Sequence, residues 1–159
     1  MISEALRAIF NKFTPFDSAA TDDELGLGNQ LAKVPNVVRG TYDFAVLGGA
    51  TGSLNLLGPD GKKIIIPNKA IIRQVWIDII TACTSTGGTG TIALNCNSAG
   101  DLLVAVDADT LSGVNAGVPV GTAATMVKAT AARTLVLAIA TNPLLSGKFD
   151  VFVEYVQGQ

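Results

Sequence analysis

Ile71-Ile72-Arg73-Gln74-Val75-Trp76-Ile77-Asp78-Ile79-Ile80-Thr81 is a long alternating run, and its reading sets the class of the chain. Val75, Ile77 and Ile79 fall on one face and Gln74, Trp76 and Asp78 on the other, the period of two expected of a strand with one buried side. The turn residues Ser85-Thr86-Gly87-Gly88-Thr89 follow, and then Ile92, Leu94 and Cys96 alternate with Thr91, Ala93 and Asn95. Together these predict a hairpin of Ala70 to Cys83 against Gly90 to Asn97. Its register puts both apolar sets on one face, since a slip of one residue would turn one set toward water.

The same logic extends in both directions. Arg133 to Ala140 and Lys148 to Gln157 flank the loop Thr141 to Gly147, which predicts a second hairpin pairing Ile139 with Phe149, Leu137 with Val151 and Leu135 with Val153. Arg133 would then lie over the Tyr155 ring. Upstream, Tyr42, Phe44 and Val46 alternate with Thr41, Asp43 and Ala45 before Gly48-Gly49, and Leu54 to Leu57 runs into Gly58-Pro59-Asp60-Gly61. Short strands at such intervals predict a mainly β chain: an antiparallel β-sandwich over residues 37–159, in jelly-roll or immunoglobulin-like order. The pattern does not choose between these two orders.

Residues 1–36 read differently. Ser3 can cap a helix with Glu4 in its first turn and Lys12 near its end, which suits the helix dipole. Ile2, Leu6, Ile9, Phe10 and Phe13 form one stripe, Pro15 stops it, and Phe16 follows. So short an amphipathic helix is marginal alone, so these six side chains are candidate partner-binding residues on a short helix and extended arm. The arm holds three basic and five acidic residues, leaving eight of each for the remainder. A neutral sandwich lacks one obstacle to self-association. On it, Trp76 and Phe152 are candidate subunit-interface residues, because both sit on the strand face opposite the apolar set.

Composition removes several classes of function. There is no histidine, so Ser-His-Asp and Cys-His nucleophile systems and imidazole metal sites are absent. A phosphate loop fails around Gly61-Lys62, where Leu56 stands at the required glycine and Lys63 at the required hydroxyl. Asp107 and Asp109 straddle Ala108 and are too few for a calcium site, reading instead as a solvated turn. No enzymatic activity, cofactor or metal is expected. Net charge is −2 and no basic run exceeds Lys62-Lys63, so no direct nucleic-acid partner is expected. No apolar stretch approaches the length of a membrane helix and no signal peptide is evident, so synthesis in the cytoplasm is the expectation. Cys83 and Cys96 are placed too far apart by the first hairpin for a disulfide and read as reduced, space-filling thiols.

Ser98 to Leu103, Gly117 to Ala124, Lys128 to Arg133 and Leu144 to Tyr155, opened by Gly40 to Val46 with Gly48-Gly49, resemble a pattern in small virion structural proteins of tailed bacteriophages and prophages. The resemblance covers about residues 37–156 and carries no catalytic signature. It implies a sandwich on or in a phage particle. The favoured form is a capsid decoration or cement protein, a homotrimer seated where capsomers meet, with itself and the major capsid protein or other virion proteins as partners. A neck, baseplate or tail component is the alternative. A carbohydrate-binding adhesion module, with Trp76, Tyr42 or Phe152 as its aromatic platform, is a third reading from a different class.

Overall fold

The computed structural model describes residues 35–158. Strands β1 (Asn36–Asp43), β11 (Leu144–Gln157), β4 (Ala70–Ser85) and β7 (Val114–Val120) lie side by side in that order, and β8 (Val127–Lys128) adds to β4. A second sheet runs β2 (Gly52–Asn55), β10 (Val136–Ala140), β5 (Thr91–Asn95) and β6 (Leu103–Asp107). A small ladder joins β3 (Ile65–Ile66) to β9 (Arg133–Thr134). All the pairings are antiparallel, so the expectation of an antiparallel β-sandwich is met. The arm residues Ile2, Leu6, Ile9, Phe10, Phe13 and Phe16 lie outside the described residues.

Alternation explains the core. Val75 and Ile77 of β4 and Phe149, Val151 and Val153 of β11 are fully buried from one sheet, and Ile92, Leu94, Leu137 and Ile139 are buried from the other. Tyr42 stacks on its cross-strand partner Phe149 with ring centroids 4.9 Å apart. Its hydroxyl donates to the Gly48 carbonyl at 2.9 Å, so the one polar atom of this buried ring is satisfied.

Both expected hairpins are corrected. β4 and β5 do not pair, and neither do β10 and β11; each pair is split between the two sheets. Among the described residues, β5 and β6 are the only consecutive strands that pair with each other. Two strands with apolar sets aimed at one core satisfy the same pattern whether adjacent or facing each other across it, and the chain takes the second solution. Arg133 consequently pairs with Ile66, while Tyr155 is opposite Asn36 and Ile72, so the expected pairing of Arg133 with Tyr155 does not form.

The corners that switch sheets are built by local chemistry. At the end of β4, the Ser85 N–H donates to Asp109 Oδ1 at 2.9 Å and its hydroxyl donates to Asp109 Oδ2. The Gly90 N–H in turn donates to Ser85 Oγ at 2.7 Å. A Cβ on Gly90 would sit 2.5 Å from the Ser85 Cβ, so the chain can re-enter the sandwich there only as glycine. The pair read as a solvated turn is thus a structural knot: Asp107 caps the turn by accepting from the Asp109 N–H at 3.0 Å, and Asp109 holds the corner. Another alternation breaks earlier than expected, since β1 ends at Asp43 and Phe44–Leu47 form a helical turn, α1. Asp43 caps that turn by accepting from the Ala45 N–H at 3.0 Å.

Candidate assembly surface

The outer face of the larger sheet is assembled from four strands in rows. Arg39 of β1 is opposite Phe152 of β11, which is opposite Trp76 of β4, which is opposite Ala116 of β7. The next row runs Thr41, Asp150, Asp78 and Val114, and the row on the other side runs Val37, Glu154, Gln74 and Val120. Trp76 and Phe152, singled out separately in the sequence, are therefore cross-strand neighbours. Their rings stack at 5.4 Å between centroids and 10° between planes. Both side chains are half-buried, and the exposed Val114, Val120 and Val37 flank them at 71%, 50% and 54% exposure.

A bulge keeps this face in register with the core behind it. Gln74 pairs with Glu154 while Ile72 pairs with Tyr155, so Arg73 is an extra residue on β4. The insertion lets Ile72 and Val75 both face inward and puts Arg73 within 3.5 Å of Glu154.

Charges ring the aromatic pair. The Arg39 guanidinium lies 3.7 Å from Asp150, and Thr41 Oγ1 donates to the same carboxylate at 2.6 Å. At the far end, Lys148 Nζ is 2.9 Å from Asp43. The hydrogen bond from Lys148, helped by that from the Ala45 N–H, holds the Asp43 carboxyl below its ordinary range, and the same bond raises Lys148. Asp150 and Asp78 stand directly opposite each other, a like-charge pair that Arg39 and Thr41 relieve on one side only.

Among the described residues, no group of three or more His, Cys, Asp or Glu side chains could hold a metal. Burial pushes the Cys83 and Cys96 thiols up to about 11, which leaves them protonated and poorly nucleophilic near neutrality. The aromatic platform for a sugar loses Tyr42, which is fully buried against Phe149. Trp76 and Phe152 each spend one ring face on the other. No helix among the described residues is long and apolar enough to cross a membrane.

Sheet order and paired outer aromatics define a class: an antiparallel β-sandwich with a mixed apolar and charged outer face. Solved structures place that fold. No protein-family model and no curated protein matches the sequence. A chain in the acidic stable capsid of Helicobacter pylori bacteriophage KHP30 is similar, with TM-score 0.56, 13% identity, and coverage of 79% of this chain and 90% of that one. A chain of the cyanophage Pam1 capsid gives TM-score 0.54 and 21% identity over 78% and 85% of the two chains. A chain of the Ralstonia phage GP4 capsid gives 0.58 and 18% over 79% and 86%. At such identities the likeness is one of fold.

Proposed function

We propose that this chain is a non-enzymatic structural protein of a tailed-phage particle. Within that particle it is a capsid decoration or cement protein, a homotrimer that binds the shell between capsomers through major capsid protein contacts. The observation that carries this reading is the likeness, over more than three quarters of the chain, to chains from three phage capsids. Strand order supports it: eight strands in two rows, β1-β11-β4-β7 and β2-β10-β5-β6, with the first beside the last, favour the jelly-roll reading over the immunoglobulin-like one. The Trp76–Phe152 face supplies rigid aromatic anchors with a charged rim, the anatomy of a contact surface. In this reading the residues ahead of β1, 1–34, are an arm, and Ile2, Leu6, Ile9, Phe10, Phe13 and Phe16 anchor it to neighbours.

The full-length protein added to purified shells that lack it should co-sediment with them to saturation and raise the temperature at which they rupture. Deleting residues 1–34 should leave the sandwich folded and abolish that binding. Rings that form without affinity for shells would overturn the cement role in favour of a neck, baseplate or tail component.

A further inference from the structure

Among the described residues, the outer edge of β1 is unpaired over Val37–Arg39. Thr41 donates its N–H to the Leu57 carbonyl at 2.8 Å, away from its β11 neighbour Asp150. In an antiparallel ladder, alternate residues of a strand point their backbone groups the same way, so the N–H and C=O of Val37 and Arg39 also face away from β11. Among the described residues nothing bonds to them on that side; the single bridge from β1 to this flank is Thr41 with Leu57. A groove of about 450 Å³ runs along this stretch, between Val37–Arg39 and the segment from Gly58 to Ile65. Ile65, on its far wall, is 61% exposed. An unpaired edge beside a groove is the geometry that accepts an added strand.

Charge selects the occupant. Arg39, Lys62 and Lys63 line the groove against one carboxylate, Asp60. The chain carries one run of opposite sign, Asp22-Asp23-Glu24, followed by Leu25-Gly26-Leu27. In an extended segment Asp22 and Glu24 share a face, opposite Asp23 and Leu25. The eleven residue steps from Glu24 to Pro35 span at most about 36–40 Å, against a radius of gyration of about 14 Å for a domain of this size. That reach extends to a neighbouring subunit.

We propose that the β1 edge of one copy accepts the Asp22–Leu27 segment of a second copy as an added strand, linking subunits head to tail in a closed ring. The inference rests on the reading of the protein as a self-assembling virion component and specifies how copies join. Carboxylates of the arriving strand meet Arg39, Lys62 and Lys63, and its backbone pairs with Val37 and Arg39.

The test uses full-length protein and sedimentation equilibrium. Reversing the groove (Lys62→Glu, Lys63→Glu) or the segment (Asp22→Lys, Asp23→Lys, Glu24→Lys) should each weaken self-association about tenfold or more. Combining the two sets should restore it. Mixed single variants Glu24→Cys and Lys63→Cys, treated with a short bismaleimide, should give covalent dimers, and this readout is independent of any effect of the reversals on folding. Unchanged self-association in both reversed proteins, or no cross-linked dimer, overturns the proposal. Loss of shell binding with self-association intact in the groove variant also overturns it and assigns the slot to a shell protein. Shell binding retained by the Lys62→Glu, Lys63→Glu groove variant, with its self-association lost, upholds it, so its fate is separable from that of the cement role.

Discussion

Strand β11 offers two phenylalanines three residues apart on opposite faces, and truncating each separates folding from assembly. Phe149 is fully buried and stacked on Tyr42. Removing its ring leaves a cavity between the sheets, and Phe149→Ala should destabilise the protein by about 3–5 kcal/mol. Phe152 is half-buried on the outer face, where its main partner is Trp76 at 5.4 Å. Phe152→Ala forfeits that stacking, about 0.5–1.5 kcal/mol, plus part of a side chain's burial, for a total of about 1–2 kcal/mol. Urea denaturation of the unassembled protein, followed by circular dichroism, should resolve the two. Binding of the same variants to shells reverses the ranking: a ring desolvated at the centre of an interface is worth about 2 kcal/mol or more, a loss of about thirtyfold in affinity for Phe152→Ala. A cost for Phe152→Ala in the unassembled protein as large as that for Phe149→Ala would refute the reasoning. The outer face would then be part of the core.

Three further outcomes follow from the geometry. Asp109→Ala removes both acceptors that hold Ser85 and should cost about 2–3 kcal/mol in denaturant, with Asp109→Asn milder because one oxygen still accepts from the Ser85 N–H. Asp78→Asn relieves the like-charge contact with Asp150 and should raise stability by a few tenths to about 1 kcal/mol, more at low salt. Burial lifts the Tyr42 phenol from 10.0 to about 12 and both thiols from 9.0 to about 11, so the folded state keeps these groups neutral where the unfolded chain ionises. Their contribution is fully present below pH 9 and is lost as pH rises toward 12; a melting temperature flat across that range would contradict it. The same shift cuts the thiolate fraction at pH 8 about a hundredfold, which alkylation rates of the native protein would register.

Class, core and outer aromatics were legible because period two states which side of a strand is wet. Val75, Ile77, Ile92 and Leu94 were assigned to the core and lie there. Connectivity was not legible, because alternation carries no sign that distinguishes a partner beside a strand from one across the core. What decides it is stereochemistry at the corners. Gly90 leaves no room for a Cβ beside Ser85, and a Cβ on Gly49 would sit 2.1 Å from the Leu144 carbonyl oxygen. At Gly147 the backbone takes φ +132°, and a Cβ would meet Cys83 Sγ at 2.4 Å. In the sequence these glycines read as turn punctuation, whereas their work is to let two sheets approach.

The outer face was half legible for a related reason. Trp76 and Phe152 stood out as large rings on the wet side of their strands, but their contact depends on the register of β4 against β11. Four register shifts adjust that register along the pair. The one between Glu154 and Tyr155 follows the extra residue Arg73 and lies two residues from the aromatic pair. Without it, Ile72 and Val75 could not both point inward, and either the core or the outer row would lose its order. The ion pair Arg73–Glu154 links the same two strands, and Arg39–Asp150 ties β1 to β11 beside them. Surface pairs of this kind add little stability, and here they fix lateral order around two stacked, half-buried rings. A face so ordered, and so little protected from water, makes physical sense as one that a neighbour covers.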